Sequence, residues 1–141
     1  MIFVTVGSTR CDKLIKAVDG LGLKHLVCQI GSGEYKPKNG VWFRYAPSLT
    51  DYFELADLLV ITSGAGSIFE ALDAGVPTVS VKDSFDIGNY GLAEKLAEGG
   101  YLAACYLHEL GGTIKQAEGM EFKAYEAKGN RIADEIVEGL K

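Results

Sequence analysis

Residues 57–77 read DLLVITSGAGSIFEALDAGVP, and the fold is decided by how this stretch is divided. Leu58–Ile61 is an apolar run long enough for one buried strand. Thr62–Ser67 is a loop of small residues with two glycines. Ile68–Leu72 restarts the apolar pattern at helical spacing, and Gly75-Val76-Pro77 stops it. The reading is strand, tight glycine turn, helix, stop. A helix that opens this way aims unpaired backbone N–H groups, and the positive end of its dipole, at whatever sits above the turn. A phosphate or diphosphate is the natural occupant.

Outward from this stretch the same grammar repeats. Apolar runs at Ile2–Val6, His25–Ile30, Val41–Tyr45, Leu58–Ile61, Thr78–Val81 and Tyr101–Cys105 read as six strands. Between them fall helices over about Cys11–Leu21, with Leu14, Ile15 and Val18 inward, and a short one with Leu49, Phe53 and Leu55–Ala56 inward. Further helices are expected after the glycine turn, over Leu92–Glu98, near Leu107–Glu118, and over about Ala124–Leu140. Strands that alternate with helices make a parallel sheet covered on both faces, which keeps the runs apolar throughout. The expected fold is α/β, a single Rossmann-like doubly wound parallel sheet occupying residues 1–141 as one domain. Such sheets bind ligands beyond the carboxyl ends of their strands. The loops that matter are then Gly7–Thr9, Gly31–Glu34, Arg44–Ser48, Thr62–Ser67 and Lys82–Gly91.

Composition narrows the function classes. A net charge of −5 argues against nucleic acid as the main partner, although backbone N–H groups can still hold one anionic ligand. No apolar run approaches the ~20 residues of a membrane span, and MIFVTVGST lacks the basic start of a signal peptide. Cys11, Cys28 and Cys105 show no CxxC spacing and read as buried or free thiols.

Each candidate site has a plain structural reading beside the functional one. Gly7-Ser8-Thr9 could hold a phosphate or an acceptor, or simply cap a helix. Ser63-Gly64-Ala65-Gly66-Ser67 is neither GxGxxG nor a Walker A loop. Ser67 and Glu70 fit a capping box, S-x-x-E, and fit equally a ribose site in which Glu70 grips both hydroxyls. In the long polar loop KDSFDIGNYG, Asp83, Ser84, Asp86 and Asn89 could bind a sugar. His25 reads as structural; His108 follows the sixth strand and could approach the cleft, but reads rather as a surface residue near a helix start. Trp42, Phe43 and Tyr45 read as core, with Tyr45 at the ligand end of its strand.

Three stretches carry a resemblance: FVTVGST, DLLVITSGAGSIFEAL and GVPTVSVKDSFDIGNYGLAEKLAEGGY. Through them the chain resembles the C-terminal, donor-binding half of MurG-like GT-B glycosyltransferases (family 28). Within that group it is most similar to the small catalytic subunits of two-subunit GlcNAc transferases of dolichol-linked oligosaccharide synthesis, and to related bacterial polysaccharide-synthesis subunits. The resemblance implies a UDP-sugar donor, with the diphosphate on Ser63, Gly64, Ala65, Gly66 and Ser67 and the ribose on Glu70. It implies uracil beside Arg44, Tyr45 and Ala46, and the donor sugar near Asp86 and Asn89. Two departures leave the sugar's identity open: Thr62 stands where the eukaryotic subunits carry histidine, and Gly88-Asn89-Tyr90 stands where paired glutamines are usual.

The chemistry implied by the resemblance is inverting transfer of GlcNAc from UDP-GlcNAc to a lipid-linked saccharide, without a metal or other cofactor. No DxD-type acidic pair or metal-ligand cluster is present in the sequence. No residue stands out as the general base. The resemblance therefore implies half an enzyme, cytoplasmic and held at the membrane by an anchored, acceptor-binding partner subunit. A homodimer through the apolar surface meant for that partner is a further expectation for the isolated chain. Two alternatives stay open: a nucleotide-sugar binding or regulatory subunit without chemistry, and a generic Rossmann-like domain for NAD, ATP or FMN.

Overall fold

The computed structural model describes residues 1–7, 10–62, 65–82 and 90–124. The last expected helix, Ala124–Leu140, lies outside them apart from its first residue. The elements run in order β1 (Ile2–Thr5), α1 (Asp12–Gly20), β2 (Leu26–Gln29), β3 (Val41–Phe43), α2 (Thr50–Leu55), β4 (Leu58–Thr62), α3 (Ala65–Ala74), β5 (Thr78–Lys82), α4 (Tyr90–Glu98), β6 (Ala103–Tyr106), a 3₁₀ turn at Leu107–Glu109 and α5 (Leu110–Gly119).

All six strands are parallel and lie in the order β3-β2-β1-β4-β5-β6. The chain winds outward from β1 to one edge, returns, and winds to the other from β4. The register sets Val4 between Cys28 and Val60, so the centre of the sheet is apolar on every side. Alternate side chains feed two cores. One joins Val4, Cys28 and Val60 to Leu14, Ile15 and Val18 of α1 and to Leu110 and Ile114 of α5. The other joins Phe3, Leu59 and Ile61 to Phe53 of α2, Ile68 of α3 and Leu96 of α4. Phe3 anchors a stack on this face, with Tyr52 at 5.1 Å and Phe43 at 6.2 Å between ring centroids.

The β2–β3 connection is irregular, and two carboxylates of α1 hold it. Asp12 accepts the N–H groups of Glu34 and Tyr35 at 3.0 and 3.2 Å. Buried Asp19 accepts the Tyr35 hydroxyl at 2.5 Å and the N–H groups of Lys38 and Asn39 at 3.1 and 2.8 Å. The Tyr35 hydroxyl, with those N–H groups, holds the Asp19 carboxyl below its ordinary range against the cost of burial.

Two expectations are corrected. Leu55 is 74% exposed, because it stands two residues, roughly 200°, round the helix from buried Phe53. Trp42 and Tyr45 are also exposed, because β3 is an edge strand, and of the three aromatics Phe43 alone packs against the core.

Candidate functional site

The strand order places a crevice where the winding reverses, between the carboxyl ends of β1 and β4. Ligands of open α/β sheets bind at such a switch point. Here the β1 turn meets α3. Gly7 takes φ +69°, and a Cβ on it would lie 3.9 Å from Ser67 Oγ. Beside this contact opens a cleft of about 360 Å³. Gly7, Ser67 and Glu70 line it from one side, Tyr45 and Ala46 from beyond β3, and Leu49, which caps α2, with Phe53 of α2. Residues far apart in sequence, each named above as a candidate, thus share one cavity.

The helix start bears on the capping-box reading of Ser67 and Glu70. α3 begins at Ala65, so Ser67 is already inside the first turn and cannot be the N-cap of a capping box. Glu70 is exposed and has no hydrogen-bond or ion-pair partner among the described residues. Glu70 lines both this cleft and a smaller one of about 170 Å³ between α2 and α3, which Glu54 and Asp73 also line. The first-turn N–H groups of α3, beginning at Ala65 and Gly66, have no partner within the helix and mark a place for negative charge.

Other candidates fall differently. Arg44 does not line the cleft. Its guanidinium donates to the carbonyls of Gly31 at 3.2 Å and Gly33 at 2.7 Å and lies over the Trp42 ring. The Gly7 N–H donates to Thr5 Oγ1 at 3.2 Å and Gln29 Oε1 at 3.1 Å, so it is engaged within the chain. Ser8, Thr9, Ser63, Gly64, Asp83, Ser84, Asp86 and Asn89 lie outside the described residues. His25 takes φ +54° before β2, and its carbonyl accepts the Ile2 N–H at 3.0 Å. His108 stacks on Tyr106 at 5.9 Å, and the Lys82 ammonium lies 5.7 Å from the same ring. That group crowns β5 and β6 at the ligand end of the sheet, where Lys82 and Tyr106 pair in register.

Sequence reading missed Gln29. It is the last residue of β2, buried, and a member of the cleft lining. Its one signal was a polar residue in an otherwise apolar strand run. The three cysteines are free thiols, half-buried at Cys11 and buried at the other two. Burial, helped by the charge of Asp19, pushes the Cys28 thiol up to about 12, and burial raises Cys105 as well. Neither is suited to nucleophilic work.

Among the described residues no helix is long and apolar enough to cross a membrane, and no three His, Cys, Asp or Glu side chains stand close enough to hold a metal ion.

Known proteins share this architecture. The solution structure of ALG13 superposes with a TM-score of 0.70 at 17% identity, over 96% of this chain and 94% of that one. Acinetobacter baumannii MurG superposes with a TM-score of 0.64 at 19% identity, over 82% of this chain and 40% of that one. At such identity these likenesses speak to fold, which is that of GT-B C-terminal domains. In sequence, the mouse (Mus musculus) protein described as UDP-N-acetylglucosamine transferase subunit ALG13 is 36% identical over 73% of this chain. The chain spans about a tenth of the length of the curated relatives it matches. The profile of the glycosyltransferase family 28 C-terminal domain matches residues 1–136, and this chain belongs to that family.

Proposed function

We propose that this chain is the donor-binding part of an inverting UDP-sugar glycosyltransferase. The observation that carries the reading is the convergence of Gly7, Tyr45, Ala46, Ser67 and Glu70 on one cleft beside the start of α3. A nucleoside diphosphate fits this arrangement chemically. The diphosphate would lie over the first turn of α3, with Ser67 as a hydroxyl donor. Glu70 would accept both ribose hydroxyls, and the base would lie against Tyr45 and the backbone at Ala46. When the sugar leaves for the acceptor, charge grows on the departing diphosphate. Fixed N–H dipoles at a helix start stabilise that charge without reorganising.

UDP-GlcNAc is the proposed donor, supported by family membership and by the name of the mouse and human relatives. The same name, a transferase subunit, supports a partner. We take that partner to be membrane-anchored and to supply both the surface for a lipid-linked acceptor and the general base. Residues 1–141 would form one domain working on the cytoplasmic side.

A second reading has one observation in its favour. Among the described cleft residues Glu70 is the only carboxylate, and the ribose claims it. A subunit that binds nucleotide sugar without performing transfer would look the same. Calorimetric titration with UDP, UDP-GlcNAc, ADP and NAD, without added metal, tests the site. The expected result is preference for UDP and UDP-GlcNAc; equal or better binding of ADP or NAD would refute it. Transfer by the complex with its partner then separates enzyme from binding subunit.

A further inference from the structure

We infer that Gln29 is a positioning residue that sets the separation of the two walls of the cleft; the inference rests on the nucleotide reading of that cleft. A primary amide buried at the end of an apolar strand is costly unless every donor and acceptor is used. Here all are used, and the partners come from both sides. Oε1 accepts the Thr5 hydroxyl at 2.5 Å and the N–H groups of Val6 at 3.2 Å and Gly7 at 3.1 Å. The end of β1 therefore wraps a neutral amide oxygen in the way a backbone nest wraps an anion. Nε2 spends one N–H on the Gly7 carbonyl at 2.9 Å and the other on the Arg44 carbonyl at 2.6 Å.

Those two carbonyls belong to different walls. Gly7 lies on the β1 turn facing Ser67, and Arg44 directly precedes the Tyr45–Ala46 pair that lines the far side. β2 runs between β1 and β3. Among the described residues, backbone pairing between the ends of β2 and β3 continues through the Ile30 and Gly31 N–H groups on the Phe43 and Arg44 carbonyls. Gln29 adds the one side-chain tie reaching the β1 turn and the β3 turn together among the described residues. Because its hydrogen-bonding capacity is spent inside the protein, it acts on a ligand through spacing rather than by contact. The amide's orientation follows from the partners: donors surround one atom and carbonyls the other.

Gln29→Glu keeps the volume but sets a carboxylate oxygen against two carbonyls. Gln29→Met keeps the packing and drops the bonds. Both should lower UDP affinity by about tenfold or more, measured by calorimetry beside melting temperature. Asp19→Asn is the matched control, since it loosens the same β2–β3 connection away from the cleft. It should lose melting temperature while keeping UDP affinity within about twofold. If neither Gln29 variant folds, Thr5→Val replaces them. It removes one donor to Oε1 and should weaken UDP binding by several-fold. Wild-type affinity in the Gln29 variants, or in Thr5→Val where that is the one read, overturns the inference. So does an equal loss in Asp19→Asn, which would make the role merely structural. Absence of UDP binding by the unmutated chain would instead refute the nucleotide reading, and the inference with it.

Discussion

Glu70 and Asp19 are both acids in helical segments, and their surroundings give them opposite uses. Glu70 is exposed on the cleft and unpaired among the described residues, so its charge is available to a ligand. Glu70→Ala should weaken UDP binding by about 1–3 kcal/mol, the scale of lost charged hydrogen bonds. Deoxyuridine diphosphate should bind the unmutated chain correspondingly worse than UDP; equal affinities would remove Glu70 from the ribose. Asp19 is buried, and its charge is spent on Tyr35, Lys38 and Asn39. Asp19→Asn should cost about 2 kcal/mol of stability in denaturant unfolding. Its carboxyl titrates lower folded than unfolded, so its contribution is full above the unfolded value of about 3.9 and is lost as pH falls through the folded value. The stability gap between wild type and Asp19→Asn should therefore close on acidification. A gap that held constant below about pH 3 would contradict this account. Glu70 could be singled out from the sequence, because its spacing from a glycine turn fits a capping box and a ribose acid alike. Asp19 and Gln29 were not, since their partners lie in segments that only the folded sheet brings near.

Elements were legible in proportion to how apolar and how central they are. β1, β4 and β5 are covered on both faces, so each stands out as an unbroken run, and each lies within a residue or two of its expected bounds. Prediction weakened at the edge. β3 has one neighbour, and its exposed face carries Trp42 with the Lys36 and Arg44 cations beside the ring. An aromatic residue there signals strand without signalling burial. The α2 error had a similar cause: in a short helix only one face can be inward, and Phe53 with Ala56 takes it. The approach to β3 makes a testable point. A Cβ on Gly40 would lie 2.8 Å from the Leu26 carbonyl oxygen and 3.0 Å from the Leu26 Cβ. Gly40→Ala should therefore push β3 off β2 and lower stability by about 1–3 kcal/mol in urea unfolding. Unchanged stability would mean that this edge yields freely.

At the scale of the molecule, alternation of strands and helices implied a doubly wound sheet, but alternation alone does not give strand order. The observed order puts the reversal between β1 and β4, and this explains why the β1 turn and the start of α3 lie together. Two cores, one on each face, fix that geometry and also shield the thiols. Native protein treated with a thiol reagent at neutral pH should react first at Cys11, with Cys28 and Cys105 released only on unfolding. Fast labelling at Cys28 would show that the core opens more readily than its packing implies. The central claim is that the cleft at the switch point receives UDP. Backbone amide shifts of the ¹⁵N-labelled chain, followed as UDP is added without metal, test it most directly. The account predicts saturable changes concentrated at Gly7, Gln29, Tyr45, Ala46, Ser67 and Glu70, with the β3 edge and the α5 face unmoved. Saturable changes centred elsewhere, or none while ADP or NAD produces them, would contradict it.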